Sequence, residues 1–502
     1  MTGSGLGRWV VGALVSCFCA ATSAAVCDAS GRDWGFETFG IELPSPAVVT
    51  AATVPTHIVR QHAVGALRLP MLLAAADFTA AQALWDQAAA LPRKEQQTRE
   101  MGRLLSSMHG RNLMLVGRAE QWVASHPDSY AARLTLAGAY VGAAWEARGH
   151  GDVRSVPRAQ FHWARSRLSR AEKHLVTLKA LPGFPSVAAD HLAIRAGMLD
   201  RRWDSWAALK SVLAYAPLDE GLYFMAAEMA HPRWAGERAP AQRRTVLDWA
   251  VRNGLSDPHL TALKQKLDEA QNPPQRISNP AQVRPYWEAR VARAPTLSNL
   301  ADWLEAEYAL KNWPLVLEIT ARIHRLSPTH PRAWEVRAWA LKQMDEPEAA
   351  YEAAVASATV GNDGSMNLII QGYVRGGLKR PLRDFNGLLA HCQMGSALAL
   401  PSAANCMGSA YSEGFGGTRT DLRTSLAWHF LGARGGVANS AHDVAVLLPK
   451  VVRDPALRSD VQAAAGYWLQ VAARTGHQQA RNKLADQPGL GEVCDSVLST
   501  SR

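Results

Sequence analysis

The stretch WHFLGARGG, residues 428–436, lines up without a gap on WLQVAARTG, residues 468–476, forty residues further along. Taken alone, the first copy crowds a histidine, an arginine and three glycines together and invites a reading as a phosphate cradle or a reactive corner. Its echo decides otherwise, because a reactive loop has no reason to occur twice, whereas a structural unit does. In both copies tryptophan supplies bulk for packing and alanine lets a neighbouring helix approach closely. Glycine then ends the helix in a left-handed turn. Trp428 and Trp468 therefore mark equivalent helices of a repeat, with His429 and Arg434 left to face a groove or water.

Toward the N-terminus, SNLADWLEAEYALKNWPLVLEITARIHRLSP (298–328) and PRAWEVRAWALKQMDEPEAAYEAAVASA (331–358) each read as helix, tight turn, helix. Their turns, Lys311-Asn312-Trp313 and Asp345-Glu346-Pro347, are thirty-four residues apart, which is the tetratricopeptide period. Trp334, Ala338, Ala350 and Ala354 fall where that repeat needs one large residue and then small ones, and Pro328 and Pro331 lead into the next helix. The same turn-plus-helix pattern recurs in ADFTAAQALW (76–85) and RRWDSWAALK (201–210). Apolar residues at three- and four-residue steps run from about Pro70 to Leu490, and strand-type alternation is nearly absent. QNPPQRISNPAQ, residues 271–282, is the best internal boundary; residues 26–69, with Pro44, Pro46 and Pro55, read as an extended lead-in.

Two family resemblances rest on these motifs. MGSAYSEGFGGTRTDLRTSLAW (407–428), continuing into the opening stretch, resembles the SEL-like repeat, a relative of the tetratricopeptide repeat. It departs where Gly417 stands for valine and Ser425 for alanine, and the second copy has a degenerate front, VAVLLPKVVRDPALRSDV (444–461). WVASHPDSYAARLTLAGAYVGAAWEARGHG (122–151) with HPRWAGERAPAQRR (231–244) resembles a bacterial family named only as domain of unknown function four-zero-three-four, with Ala235 in place of a glycine. That family implies no activity. The expected fold is all-α, an α-solenoid of stacked helical hairpins after a cleaved signal peptide. Its order is signal peptide 1–25, lead-in 26–69, helical domain 70–270, linker 271–282, tetratricopeptide-like repeats 283–380, SEL-like repeats 381–490 and tail 491–502.

MTGSGLGR followed by WVVGALVSCFCAATSAA has one positive charge, a short apolar run and small residues at Ser23, Ala24 and Ala25, the pattern of a secretory signal. It points to an exported protein, periplasmic or secreted. Leu14-Val15-Ser16-Cys17 also resembles a bacterial lipobox, so a lipid anchor at Cys17 is the alternative. No later stretch reaches transmembrane length, so no integral membrane segment is expected after cleavage. Cleavage near Ala25 leaves Cys27, Cys392, Cys406 and Cys494 for an oxidising compartment. One or two disulfides are expected, with Cys392 and Cys406 the nearest pair; a metal site with His391, His429 or His442 is the other reading. Neither CxxC nor HExxH is present, and no metal or other cofactor is expected. The composition is globular, 48% hydrophobic and 20% charged over 502 residues. The net charge of +10 comes from scattered arginines rather than a run. No nucleic-acid-binding motif accompanies it, so no nucleic-acid partner is expected.

Candidate partner-binding residues are Trp145 and Arg148, three apart in AWEARG, Arg233 and Trp234 in PRWAGE, and His429 and Arg434. An arginine beside an aromatic ring suits a carboxylate or a peptide. The reading the sequence favours is internal packing, with Arg148 on a tryptophan and paired with an acid such as Glu146 or Glu120. Gly414-Phe415-Gly416-Gly417 follows no strand and reads as an inter-helix turn rather than a phosphate loop. His162, His174, His191 and His259 lack a carboxylate at catalytic spacing. The helix RAQFHWARSRLSRAEKHLVTL (158–178) reads as amphipathic, with Phe161, Leu168 and Leu175 toward a core.

Stacked hairpins leave a curved surface suited to a peptide or another protein. The leading expectation is a non-enzymatic envelope protein that holds a protein or peptide partner, as a scaffold or assembly factor. An immunity protein neutralising a secreted effector is one alternative, and a cell-wall or glycan hydrolase another. The hydrolase would need histidines and carboxylates gathered in one deep pocket.

Overall fold

The computed structural model describes residues 37–44, 68–110, 112–148, 158–178, 181, 186–200, 202–269, 280–293, 295–378 and 383–486. Among them every regular element is a helix, and the helices pack as sequential antiparallel hairpins. The protein is an all-α solenoid. The expected signal peptide, Cys17, Cys27 and Cys494 lie outside the described residues, as does 271–279 of the expected linker; the helix Pro280–Arg293 begins inside the linker's C-terminal end.

The turns explain why this sequence folds into hairpins. After the helix Leu297–Ala309, Lys311 takes φ 59°, and the Asn312 N–H reaches back to the Glu307 carbonyl at 3.0 Å. One period later, after Pro331–Gln343, Asp345 takes φ 60° and the Glu346 N–H bonds the Leu341 carbonyl at 2.9 Å. This six-to-one closure satisfies carbonyls that the helix end leaves open, and the next helix starts two residues beyond the left-handed one. The repeat of the opening stretch uses the same device. Val437 N–H bonds Gly432 O at 3.0 Å and His477 N–H bonds Ala472 O at 2.9 Å, with Gly436 and Gly476 at φ 90° and 107°.

Following helices are capped by short polar side chains. Asp77, Asp204, Thr296, Asn362, Asp384 and Asp421 each accept a hydrogen bond from a first-turn N–H, which satisfies the donors exposed at a helix start.

Packing follows the small-and-large logic of the repeats. Trp428 and Trp468 are buried, and Phe430 meets the Trp468 ring edge-on at 5.8 Å between centroids. Ser425, where the SEL-like pattern has alanine, is fully buried and donates to the Gly408 carbonyl at 2.8 Å. The hydroxyl thus finds an acceptor on the facing helix instead of burying an unmet polar group. Gly416 brings its turn close to the helix Phe385–Ala397, where an added Cβ would meet the Phe385 carbonyl at 2.8 Å. Cys392 and Cys406 form a disulfide, Cα–Cα 5.8 Å, across the helices Phe385–Ala397 and Pro401–Glu413.

Val291 to Ala340 contribute a core of their own around Trp303, Ile319 and Val336. The larger core joins residues of the first half, from Phe39 to Leu267, with residues from Ala338 to Ala480. The SEL-like helices therefore pack back on the first half, through the helices Asn112–Ser125 and Leu422–Arg434.

Candidate partner-binding surfaces

In the first half, the helix Tyr130–Arg148 ends beside the short turn Pro232–Ala235. There Trp145 and Trp234 meet edge-to-face, 5.8 Å between centroids, and the Arg148 guanidinium lies 5.2 Å from the Trp234 ring centre. Trp145 Nε1 donates to the Arg195 carbonyl at 3.1 Å, and Trp234 Nε1 to Glu228 at 3.1 Å. Both rings are half-buried, whereas Arg148 is only 5% exposed. The structure thus brings three of the expected residues together and corrects the role of one. Arg148 lies against Trp234 from a buried position, and the two half-buried indole rings rather than the guanidinium reach the surface. Nothing is described of the Arg233 side chain.

Glu146 and Glu120, the acids expected to pair Arg148, are bonded elsewhere in the fold. Glu146 accepts from Asn112 Nδ2 at 2.5 Å and from the Gly110 N–H at 2.9 Å, and burial pushes its carboxyl above the usual range. Glu120 accepts from the Tyr140 hydroxyl at 2.5 Å.

His429 is also corrected. Its ring is 1% exposed and lies flat against Gly408, so it meets neither groove nor water. Its Nδ1 stands 3.7 Å from Asp443 Oδ2. Burial lowers the imidazole's pKa, opposed by the Asp443 charge. His442, 3.2 Å from the other Asp443 oxygen, stacks on His477 at 4.2 Å between centroids. Among the described residues no group of three or more histidines, cysteines and acids is placed to hold a metal ion. The disulfide also takes the Cys392 and Cys406 sulfurs out of any metal-ligand role.

Arg434 reaches the first half. An added Cβ on Gly117 would stand 3.6 Å from Arg434 Nη1 and 3.3 Å from Leu43 Cδ1. Leu43 thus sits beside Arg434 at the seam between the helices Asn112–Ser125 and Leu422–Arg434. Phe39 and Ile41, a few residues earlier, are buried in the larger core. Arg118, 8% exposed, donates through Nη2 to the Pro44 carbonyl at 2.8 Å and the Leu43 carbonyl at 3.3 Å. Arg423 donates to the Gly40 carbonyl.

The sequence reading missed this seat, although two signals were present. Arg118 interrupts the apolar window NLMLVGRAEQW, which obliges a buried partner for its charge. Phe39, Ile41 and Leu43 also alternate before Pro44.

Elsewhere a depression is lined by Arg165, Ser166, Ser169, Asp200 and Arg202, with Arg202 closing on Asp200 at 2.8 Å. That lining pairs a cation with an anion and contains no histidine.

The chain is similar to a Sel1 repeat protein from Oxalobacter formigenes at 14% identity, over 88% of this chain and 97% of that one, with a TM-score of 0.30. At that TM-score the likeness bears on neither site nor activity. No protein-family model matches the chain, and no curated protein matches it. The resemblance to domain of unknown function four-zero-three-four therefore rests on its short motifs alone.

Proposed function

We propose that this protein is a non-enzymatic scaffold of the bacterial envelope that holds a protein partner on its helical-repeat surface. The observation that carries the reading is the Trp145–Trp234 pair. Two half-buried tryptophans stand at a helix end, fixed by hydrogen bonds to Arg195 and Glu228 and backed by Arg148. Rigid aromatic anchors of this kind give contact area at little entropic cost and dominate many protein interfaces. Of the described histidines, His191 and His429 are buried and His324 and His477 are stacked on rings, while His126 and His259 bond the hydroxyls of Ser125 and Ser256, near neighbours in the chain at exposed positions. The location follows from the signal-like N-terminus and is part of the proposal.

The test is affinity capture from bacterial envelope extracts under gentle conditions, with wild type and a Trp145→Ala/Trp234→Ala variant. A stoichiometric protein retained by wild type and lost by the variant is expected. Recovery of no stoichiometric protein, or equal recovery by both, contradicts the reading.

A further inference from the structure

We propose that the depression between the helix Arg158–Leu178 and the turn after the helix Ser186–Leu199 is an anion site that takes a phosphate group, with Arg165 as its main ligand. It shares no lining residue with the tryptophan pair, so the inference does not rest on the protein-binding reading.

The depression has a volume of about 590 Å³, within the range of small-molecule sites. Arg165, Ser166 and Ser169 line one side, and Asp200 and Arg202 the other. Ser169 stands three residues from Ser166 and four from Arg165, so all three belong to one face of their helix. The opposite wall is fixed by its backbone. The Asp200 N–H bonds the Ala196 carbonyl at 2.9 Å, and the Trp203 N–H bonds the Asp200 carbonyl at 3.1 Å.

The donors and acceptors of the lining do not balance. Asp200 Oδ1 accepts from the Arg202 backbone N–H at 3.1 Å, and Oδ2 accepts from Arg202 Nε at 2.9 Å and Nη2 at 2.8 Å. Both carboxylate oxygens are thus occupied, while Arg202 Nη1 takes no part in the pair. Burial opposes ionisation of Asp200, but these bonds and the charges of Arg202 and Arg165 hold its carboxyl below the usual range. Among the described residues, the side chains of Arg165, Ser166 and Ser169 make no hydrogen bond or ion pair. Two guanidinium groups and two hydroxyls therefore stand against one filled carboxylate, a surplus of donors that suits an oxyanion. The charge of Glu172 also reaches Arg202, but Glu172 is exposed and outside the lining, where salt screens it.

The arrangement favours phosphate over carboxylate. A carboxylate presents two oxygens in one plane, whereas a phosphate monoester presents three strong acceptor oxygens at tetrahedral angles. Donors that arrive from a helix face and from a separate turn match the second geometry.

The test is isothermal titration calorimetry of the full chain at low ionic strength and neutral pH, with inorganic phosphate, glycerol 3-phosphate and glutarate as probes. Saturable one-site binding of a phosphate is expected, at least about fivefold tighter than glutarate. Arg165→Gln, at an exposed position, is expected to weaken it about tenfold with far-UV helicity unchanged. Ser166→Ala with Ser169→Ala should weaken it about threefold. Tighter binding of glycerol 3-phosphate than of inorganic phosphate assigns the depression to a phosphorylated small molecule, and equal binding assigns it to free phosphate. No saturable binding of either phosphate, glutarate binding as tightly, or affinity indifferent to Arg165→Gln overturns the proposal.

Discussion

Gly408 and His429 share one space: a Cβ added to Gly408 would stand 2.7 Å from three atoms of the His429 ring. The glycine of the SEL-like motif is therefore set by the ring across from it rather than by backbone conformation. Gly408→Ala forces the imidazole out of a packed interface and is expected to destabilise the fold by about 1–3 kcal/mol, read as a lower midpoint in urea. His429→Ala in the same background should recover part of the loss, since it removes the clash.

Lys311 holds its left-handed turn with a side chain that pays a steric penalty there, and it is exposed. Glycine removes that penalty of about 1–2 kcal/mol while adding backbone entropy of about half as much. Lys311→Gly is expected to stabilise by about 0.5–1 kcal/mol, measured by thermal unfolding, and Asp345→Gly should act alike.

His191 is 7% exposed, and burial, with Arg195 second, pushes its pKa down to about 4. Between an unfolded value near 6.5 and that folded value, the unfolded chain binds a proton that the folded protein refuses. Stability is therefore complete above pH ~6.5 and falls as the pH drops toward 4, by at most about 3 kcal/mol for this ring. His324 and His477, both at about 4, act in the same sense. Urea midpoints between pH 7 and pH 4.5 should decline, with a shallower slope for His191→Gln.

The Cys392–Cys406 bond spans a sequence separation of 14 residues and joins the two helices ahead of the SEL-like turn. Closing a loop of that size restricts the unfolded chain by about 3 kcal/mol. Reduction, or Cys392→Ala with Cys406→Ala, is expected to lower the urea midpoint accordingly. An unchanged midpoint on adding reductant would show that the bond is not formed in solution.

The hairpin architecture was legible because its signals are local. The thirty-four-residue spacing of Lys311 and Asp345 and the echo of Trp428 in Trp468 mark turns and helices whose geometry depends on nearby residues. Trp145 and Trp234 were legible as residue types, and the fold supplied their contact. The burial of His429 and Arg148 was not legible, because helical spacing gives a face but not what covers it. The seat of residues 37–44 was least so. It joins Gly40 to Arg423, and no pattern within one repeat encodes a contact over that distance in the chain.

The scaffold reading is tested most directly by titrating the captured partner, purified, against wild type and Trp234→Ala in a calorimeter. The account predicts one-site binding by wild type and a loss of at least about 2 kcal/mol in the variant, the scale of a buried aromatic anchor, while far-UV helicity is retained. Equal affinity for both proteins would contradict it.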